Sequence, residues 1–130
     1  METITHTIEF DTSPEEFYNA ILDPVKHSAF TQSKAEINNI EGSSYTAYDG
    51  YIEGTNLELI PGKLIVQSWQ ANEKDWPEGH FSKITFHISP EKKGCKVIFI
   101  HDNIPDGMGE MYEQGWKENY WEKMKLFFKR

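Results

Sequence analysis

The period of the hydrophobic pattern changes once along the chain and separates two kinds of predicted element. Residues 3–10 alternate between apolar and polar side chains, and residues 80–88 do the same. An alternation of period two predicts half-buried β-strands. Apolar runs at residues 63–70 and 95–101 predict two further strands. From about Met108 the apolar residues recur in steps of four and three, which predicts one long amphipathic helix.

Two capping signals predict short helices directly after the first strand. Ser13 precedes Pro14, and Glu16 follows three residues after Ser13, so the segment carries a capping box with proline in the first turn. Asp23 begins a second cap-then-proline signal. The sequence therefore predicts two short helices that end near Phe30.

Turn residues divide the middle of the chain into short strands. Residues 37–42 and 44–48 are interpreted as two strands, and a third follows the pair Asp49-Gly50. This pair predicts a hairpin, because glycine accepts the positive φ of a type I′ turn. Gly54 lies inside the third of these strands, which predicts a bulge or the close approach of another group.

The order of these elements predicts an α+β fold, because the strands are separated from a long terminal helix. The apolar stripe of that helix is rich in aromatic side chains and needs a large concave surface to shield it from water. A curved antiparallel sheet provides such a surface. The stripe consists of Met108, Tyr112, Trp116, Tyr120, Met124, Phe127 and Phe128.

Composition and charge narrow the class of protein. The 130 residues are 38% hydrophobic and 26% charged, which predicts one folded domain over residues 1–130. The net charge of −8 makes nucleic acid and anionic membranes poor partners. One cysteine, Cys95, allows no internal disulfide. Neither a signal-peptide pattern nor a bilayer-length apolar run is present, so we expect a cytoplasmic protein.

Several segments together resemble one known family. They are SPEEFY at residues 13–18, AFT at 29–31, YDGYIEG at 48–54, LIPGKLIVQSW at 59–69, WPEGHFS at 76–82, and the pairs Gly115-Trp116 and Tyr120-Trp121. Their order and spacing resemble the activators of the heat-shock protein 90 ATPase, specifically the C-terminal START-like domain of the eukaryotic activator.

The resemblance implies a fold and a function. The fold is the helix-grip fold of START-like (Bet v 1-like) proteins, in which a curved antiparallel sheet wraps around the C-terminal helix. The implied function is a co-chaperone-like interaction with a heat-shock protein 90-type chaperone. The N-terminal domain of the eukaryotic activator has no counterpart in these 130 residues.

In such a fold, a cavity can lie between the sheet and the last helix, and the strand parity predicts which side chains line it. These candidates are Trp69, His80, Phe86, Phe99, His101, Trp116 and Tyr120. One interpretation is a pocket for a small apolar ligand. The other is an ordinary aromatic core, since buried aromatic rings provide much of a core's apolar area.

Histidines and one loop tryptophan are the remaining candidates. His6, His80 and His101 share the inward parity, but no pair has a recognised metal-ligand spacing, so we expect hydrogen-bonded histidines and no metal. Trp76 lies in the polar loop of residues 72–79. It is either an exposed contact residue for a partner or a side chain that folds back over the core.

No catalytic motif is visible: the sequence has no serine elbow, no Cys-His pairing and no phosphate loop. We therefore expect a non-catalytic binding domain without a cofactor. Protein interaction and the carriage of a small hydrophobic ligand are the two main hypotheses, and a cyclase or hydrolase on the same scaffold is the third. The oligomeric state stays open.

Overall fold

A six-stranded antiparallel sheet packs against the last helix of the chain. The computed structural model describes residues 1–129. The elements are β1 (Glu2–Phe10), α1 (Pro14–Leu22), α2 (Pro24–Thr31), β2 (Ser44–Ala47), β3 (Ile52–Ile60), β4 (Leu64–Ala71), β5 (Ser82–Glu91), β6 (Gly94–Ile104), α3 (Gly109–Trp116), a π-helical segment (Lys117–Trp121) and α4 (Glu122–Phe128). The strand order is β1-β6-β5-β4-β3-β2, and all neighbouring pairs are antiparallel. This arrangement confirms the predicted α+β helix-grip fold.

The two short helices begin where their capping signals predict. The Ser13 hydroxyl accepts a hydrogen bond from the backbone N–H of Glu16 at 3.1 Å. The Asp23 carboxylate accepts one from the N–H of Lys26 at 2.9 Å. Each cap satisfies a backbone donor that has no partner within the helix. The first helix packs against β5 and β6, where Phe17 and Ile21 are fully buried, and the second helix packs against the first and against α4.

The strand predicted at residues 37–42 is wrong: the structure assigns no strand to these residues, and an isolated bridge between Glu36 and Thr46 lies just before them. Its carbonyl groups are satisfied in another way. The buried amide of Asn56 donates to the carbonyl oxygens of Asn38 and Ile40 at 2.8 and 3.1 Å. The Asn56 side chain thus satisfies carbonyl groups that would otherwise bond to a neighbouring strand.

The β2–β3 hairpin and its predicted turn at Asp49-Gly50 are confirmed, because both residues have positive φ and the N–H of Tyr51 donates to the carbonyl of Tyr48 at 3.1 Å. Tyr48 and Asp49 have φ values of +51° and +56°, and the N–H of Gly50 donates to the carbonyl of Ala47. A second turn, with positive φ at its central residues Tyr48 and Asp49, therefore overlaps the predicted one. A bulky side chain at positive φ is strained. The prediction of close approach at Gly54 is confirmed, because an added Cβ would lie 1.9 Å from a backbone oxygen of β4.

The last helix contains one π turn, which changes the phase of its buried face. The N–H of Glu122 donates to the carbonyl of Lys117, five residues earlier. The extra residue lets the adjacent side chains of Tyr120 and Trp121 both face inward. Phe127, expected within the stripe, is 40% exposed. The buried face consists of Tyr112, Trp116, Tyr120, Trp121, Met124 and Phe128.

Aromatic contacts join this helix to the inner face of the sheet. The ring centroids of Phe99 and Trp116 are 4.4 Å apart, and those of Phe99 and Trp121 are 4.9 Å apart. The sheet thus shields the stripe from water, as predicted. Within residues 1–129, no helix combines the length and the apolar character needed to cross a bilayer.

Candidate functional site

An aromatic cleft of about 470 Å³ opens between the β2–β3 hairpin and the last helix. The hairpin forms one wall, the helix forms the other, and β4 forms the floor. Gly115 on the helix leaves its wall open, because no heavy atom lies closer than 3.9 Å to an added Cβ. Asp49 and Asn119 contribute polar groups. The aromatic lining consists of Tyr48, Tyr51, Trp69, Tyr112, Trp116 and Tyr120.

Three of the seven predicted cavity residues line this cleft: Trp69, Trp116 and Tyr120. Three others, Phe86, Phe99 and His101, are buried beneath it. Beneath the helix, among the described residues, lies a void of about 10 Å³. A void of this size barely holds one water molecule. The interior is therefore filled with side chains, and the open space lies at its mouth.

His80 and Trp76 lie outside the cleft. The ladder of β5 begins at Ser82, paired with Trp69, so His80 precedes the strand. A ring nitrogen of His80 lies 2.8 Å from the carbonyl oxygen of Asn103. The half-buried indole of Trp76 donates to the carbonyl of His80 at 2.8 Å, and its ring packs against Trp69 at 5.8 Å. Trp76 thus folds back toward the cleft floor.

His101 is held by a chain of three hydrogen bonds. The indole N–H of Trp116 donates to Nδ1 of His101 at 3.0 Å. Nδ1 is thereby the acceptor, so the ring proton lies on Nε2 and donates to the Ser82 hydroxyl at 2.8 Å. The Ser82 hydroxyl donates in turn to the carbonyl of Trp69 at 2.8 Å. Burial lowers the pKa of His101 to about 3, so the ring is neutral at physiological pH.

Two other histidines also meet an aromatic side chain of the last helix. The Tyr120 hydroxyl lies 2.9 Å from Nε2 of His27, whose Nδ1–H donates to the carbonyl of Ile21 at 2.7 Å. Burial lowers the pKa of His27 to about 4. The indole N–H of Trp121 donates to Nδ1 of His6 at 2.9 Å. Each histidine therefore accepts a hydrogen bond from an aromatic side chain of the last helix.

Tyr48 closes one side of the cleft. Its hydroxyl donates to the carbonyl of Asn119 at 2.6 Å, within the π-helical segment. Its ring packs against Tyr120 with centroids 5.8 Å apart. Burial raises the pKa of Tyr48 to about 12, so the phenol stays a donor. A strained turn residue and a π turn thus meet at the rim, and both features are frequent at functional sites.

A second cleft of about 480 Å³ adjoins the first on the other side of Tyr51. Three carboxylates line it, those of Glu53, Glu73 and Glu78. The Tyr51 hydroxyl donates to Glu73 at 2.7 Å. This second cleft is mainly polar, whereas the first is mainly apolar.

Several of these residues have no recognisable signal in the sequence. His27 lies on a helix of weak amphipathic pattern, and its partner Tyr120 follows 93 residues later. Tyr48 and Tyr51 flank a recognised turn, but their approach to the helix depends on the turn type. In the described part of the chain, no three His, Cys, Asp or Glu side chains converge as metal ligands would.

Comparisons with known proteins match nearly all of the chain. The family model described as "Activator of Hsp90 ATPase homolog 1-like protein" matches residues 11–129. The Dictyostelium discoideum protein named activator of 90 kDa heat shock protein ATPase homolog is 36% identical over 121 residues, which cover 92% of this chain and 31% of the relative. Human homolog 1 is 34% identical over 125 residues, covering 96% of this chain and 36% of the relative. The chain thus spans about a third of the length of these relatives.

Solved structures show the same architecture. An HSP90 activator from Plasmodium falciparum superposes with a TM-score of 0.89 at 25% identity, over 98% of this chain and 96% of that one. The Aha1 dimer from Colwellia psychrerythraea gives a TM-score of 0.78 at 20% identity, over 98% of this chain and 94% of that one.

Proposed function

Because the chain belongs to the family of Activator of Hsp90 ATPase homolog 1-like proteins, we propose that it is a non-catalytic domain that binds an Hsp90-type chaperone and stimulates its ATPase. The observation that carries the proposal is the family match, which extends over nearly the whole described chain. The proposal treats residues 1–130 as one domain and places it in the cytoplasm, where Cys95, a buried free thiol, needs no partner.

The chemistry of the site supports binding over catalysis. A catalytic group must reach its substrate with a free lone pair or proton. Both ring nitrogens of His101 and of His27 are already engaged within the protein. Their lowered pKa values also keep both rings neutral near pH 7, so neither is an imidazolium that could act as a general acid. What the cleft offers to a partner is aromatic surface, which is the surface that interface hot spots favour.

A steady-state assay tests this function. The Hsp90-type chaperone of the same organism is purified, and its ATP hydrolysis is measured against increasing amounts of the chain. We expect a saturable rise in the rate, together with a binding isotherm of matching midpoint in calorimetry. A chaperone whose rate stays constant while calorimetry detects no heat of binding would refute the proposal.

A second candidate function is the binding of a small hydrophobic ligand. The observation that favours it is the open aromatic cleft, since its volume falls within the roughly 300–1,000 Å³ typical of ligand pockets. A Gly115→Leu variant fills the cleft from an open position. We expect the wild type to enhance the fluorescence of the neutral dye Nile red and the variant to lose that enhancement. Equal enhancement by both proteins, or none by the wild type, would exclude this ligand site.

A further inference from the structure

The two clefts form one continuous surface around Tyr51, which lines both. The wall between them is aromatic. Tyr112 of the first cleft packs against Trp76 of the second with ring centroids 6.1 Å apart. The Tyr51 and Tyr112 hydroxyls lie 3.4 Å apart at the divide. A ligand that crosses this divide therefore meets an apolar cleft first and a polar cleft next.

Charge is distributed along this surface with one sign. Asp49 is the charged residue of the first cleft, and Glu53, Glu73 and Glu78 are those of the second. No lysine or arginine lines either cleft within the described residues. The ion pairs found in residues 1–129 involve none of these four carboxylates. The whole chain carries a net charge of −8, so the surrounding field has the same sign.

We propose that the two clefts together are a docking surface for a segment of a partner protein that carries a large apolar side chain next to lysine or arginine. The apolar side chain occupies the aromatic cleft beside Gly115, and the basic side chains lie over Glu53, Glu73 and Glu78. This inference rests on the proposed function, because it describes the surface with which this chain would engage the chaperone.

Apolar burial and charge attraction both favour the binding of such a segment. Burial of an aliphatic or aromatic side chain against the first cleft removes apolar surface from water on both partners. The second cleft attracts cations by its carboxylates, and Trp76 and Tyr51 add aromatic faces for a cation to approach. Charge complementarity of this kind raises the association rate and makes binding sensitive to salt. An acidic segment is repelled by the same field.

Three variants separate the two halves of the surface. Gly115→Leu blocks the apolar half, and it replaces a helical glycine with a better helix former, so we expect it to fold. The triple variant E53Q/E73Q/E78Q removes the charge of the polar half and keeps an acceptor for Tyr51. A control variant with the same change in net charge, E9Q/E91Q/E122Q, alters exposed carboxylates that line neither cleft.

The first measurement uses a peptide and no chaperone. A short acetylated and amidated peptide with tryptophan between two lysines is titrated into labelled protein, and the indole N–H signals are followed by NMR. We expect saturable shifts at Trp69, Trp76 and Trp116. Gly115→Leu and E53Q/E73Q/E78Q, the two blocking variants, should each weaken binding of the peptide about tenfold. The charge control should change its affinity by less than about twofold. A peptide with glutamate in place of lysine that binds as well as the basic one would overturn the inference.

The second measurement uses the purified chaperone and separates the two proposals. If the chaperone binds the wild type and both blocking variants with equal affinity, the docking surface is wrong while the proposed function stands. If the chaperone does not bind at all but the basic peptide binds across both clefts, the proposed function is wrong and the docking surface stands. Loss of chaperone binding in both blocking variants, but not in the charge control, supports both.

Discussion

Acidification should weaken the fold through the buried histidines. His27 and His101 are 3% and 0% exposed, and each is neutral with both ring nitrogens hydrogen-bonded. Burial lowers their pKa from 6.5 to about 4 and about 3, respectively. In the unfolded chain each ring regains its ordinary pKa and takes up a proton below about pH 6.5. Unfolding therefore becomes more favourable as the pH falls below that value.

The size of the effect follows from proton linkage. Each pH unit between the unfolded and folded pKa values lowers the free energy of unfolding by about 1.4 kcal/mol per histidine. At about pH 5, some 1.5 units below the ordinary value, His27 and His101 each cost about 2 kcal/mol. Their sum, about 4 kcal/mol, is a large part of the roughly 5–15 kcal/mol that stabilises a typical domain. The loss from His27 levels off near pH 4 and that from His101 near pH 3.

The assay is urea unfolding, followed by tryptophan fluorescence at about pH 7 and about pH 5. His101→Gln keeps an acceptor for Trp116 and a donor for Ser82 but cannot be protonated in this range. We expect the loss of stability between the two pH values to be about 2 kcal/mol smaller in this variant than in the wild type. His27→Gln should behave in the same way.

The comparison needs a control that lowers stability without removing a titrating group from this pH range. Tyr45→Phe deletes the hydrogen bond from its buried hydroxyl to the carbonyl of Ser68 and leaves every histidine in place. We expect it to lose about 1 kcal/mol at both pH values. If His101→Gln shows the same pH dependence as the wild type and Tyr45→Phe, the neutral, desolvated state assigned to His101 is wrong.

Three further changes test other parts of the structure. Gly54→Ala should lower the free energy of unfolding by about 3 kcal/mol or prevent folding, because the added Cβ would lie 1.9 Å from the carbonyl oxygen of Ser68. A free energy of unfolding close to that of the wild type in urea would contradict this close approach. Tyr48→Phe removes the hydrogen bond to Asn119 and should lower the free energy of unfolding by about 1 kcal/mol in the same assay. We also expect faster hydrogen exchange in the π-helical segment. Unchanged exchange there would argue against this contact. Burial raises the pKa of Cys95 from 9.0 to about 11, so its thiolate fraction falls about a hundredfold. We therefore expect native protein to react with a thiol reagent only as fast as the fold opens around Cys95. Rapid labelling without urea would refute the burial of this thiol.

The element order was predictable because its signals are local. Periodicity distinguishes strand from helix within a few residues, and the caps at Ser13 and Asp23 are each complete within four residues. The segment 37–42 fails for the opposite reason. Its apolar residues resemble a strand, but its carbonyl groups bond to Asn56, which in turn accepts a hydrogen bond from Gln67 at 2.9 Å. A buried side chain that satisfies a distant backbone leaves no periodic signal.

The cleft was only partly predictable for a related reason. Strand parity identifies the side chains that face inward, such as Trp69 and Phe99, but not which of them reach open space. Which side chains line the cleft and which are fully buried depends on how densely the rings pack and on the conformation of the hairpin turn. The sequence predicts the turn at Asp49-Gly50 but not the positive φ of Tyr48, whose hydroxyl reaches the last helix.

The distribution of open space supports one of the candidate functions over the other. A carrier of small ligands encloses most of its cargo, typically 70–90% of the ligand surface. Here a void of about 10 Å³ lies beneath the helix, because Trp116, Tyr120 and Trp121 fill the interior and donate their polar hydrogens to histidines. The cleft of about 470 Å³ opens to solvent beside an acidic neighbour. A ligand there would stay exposed on one side unless a second molecule covered it. A partner protein supplies that cover and the complementary charge in one step, so the geometry favours docking of a protein over storage of a small molecule.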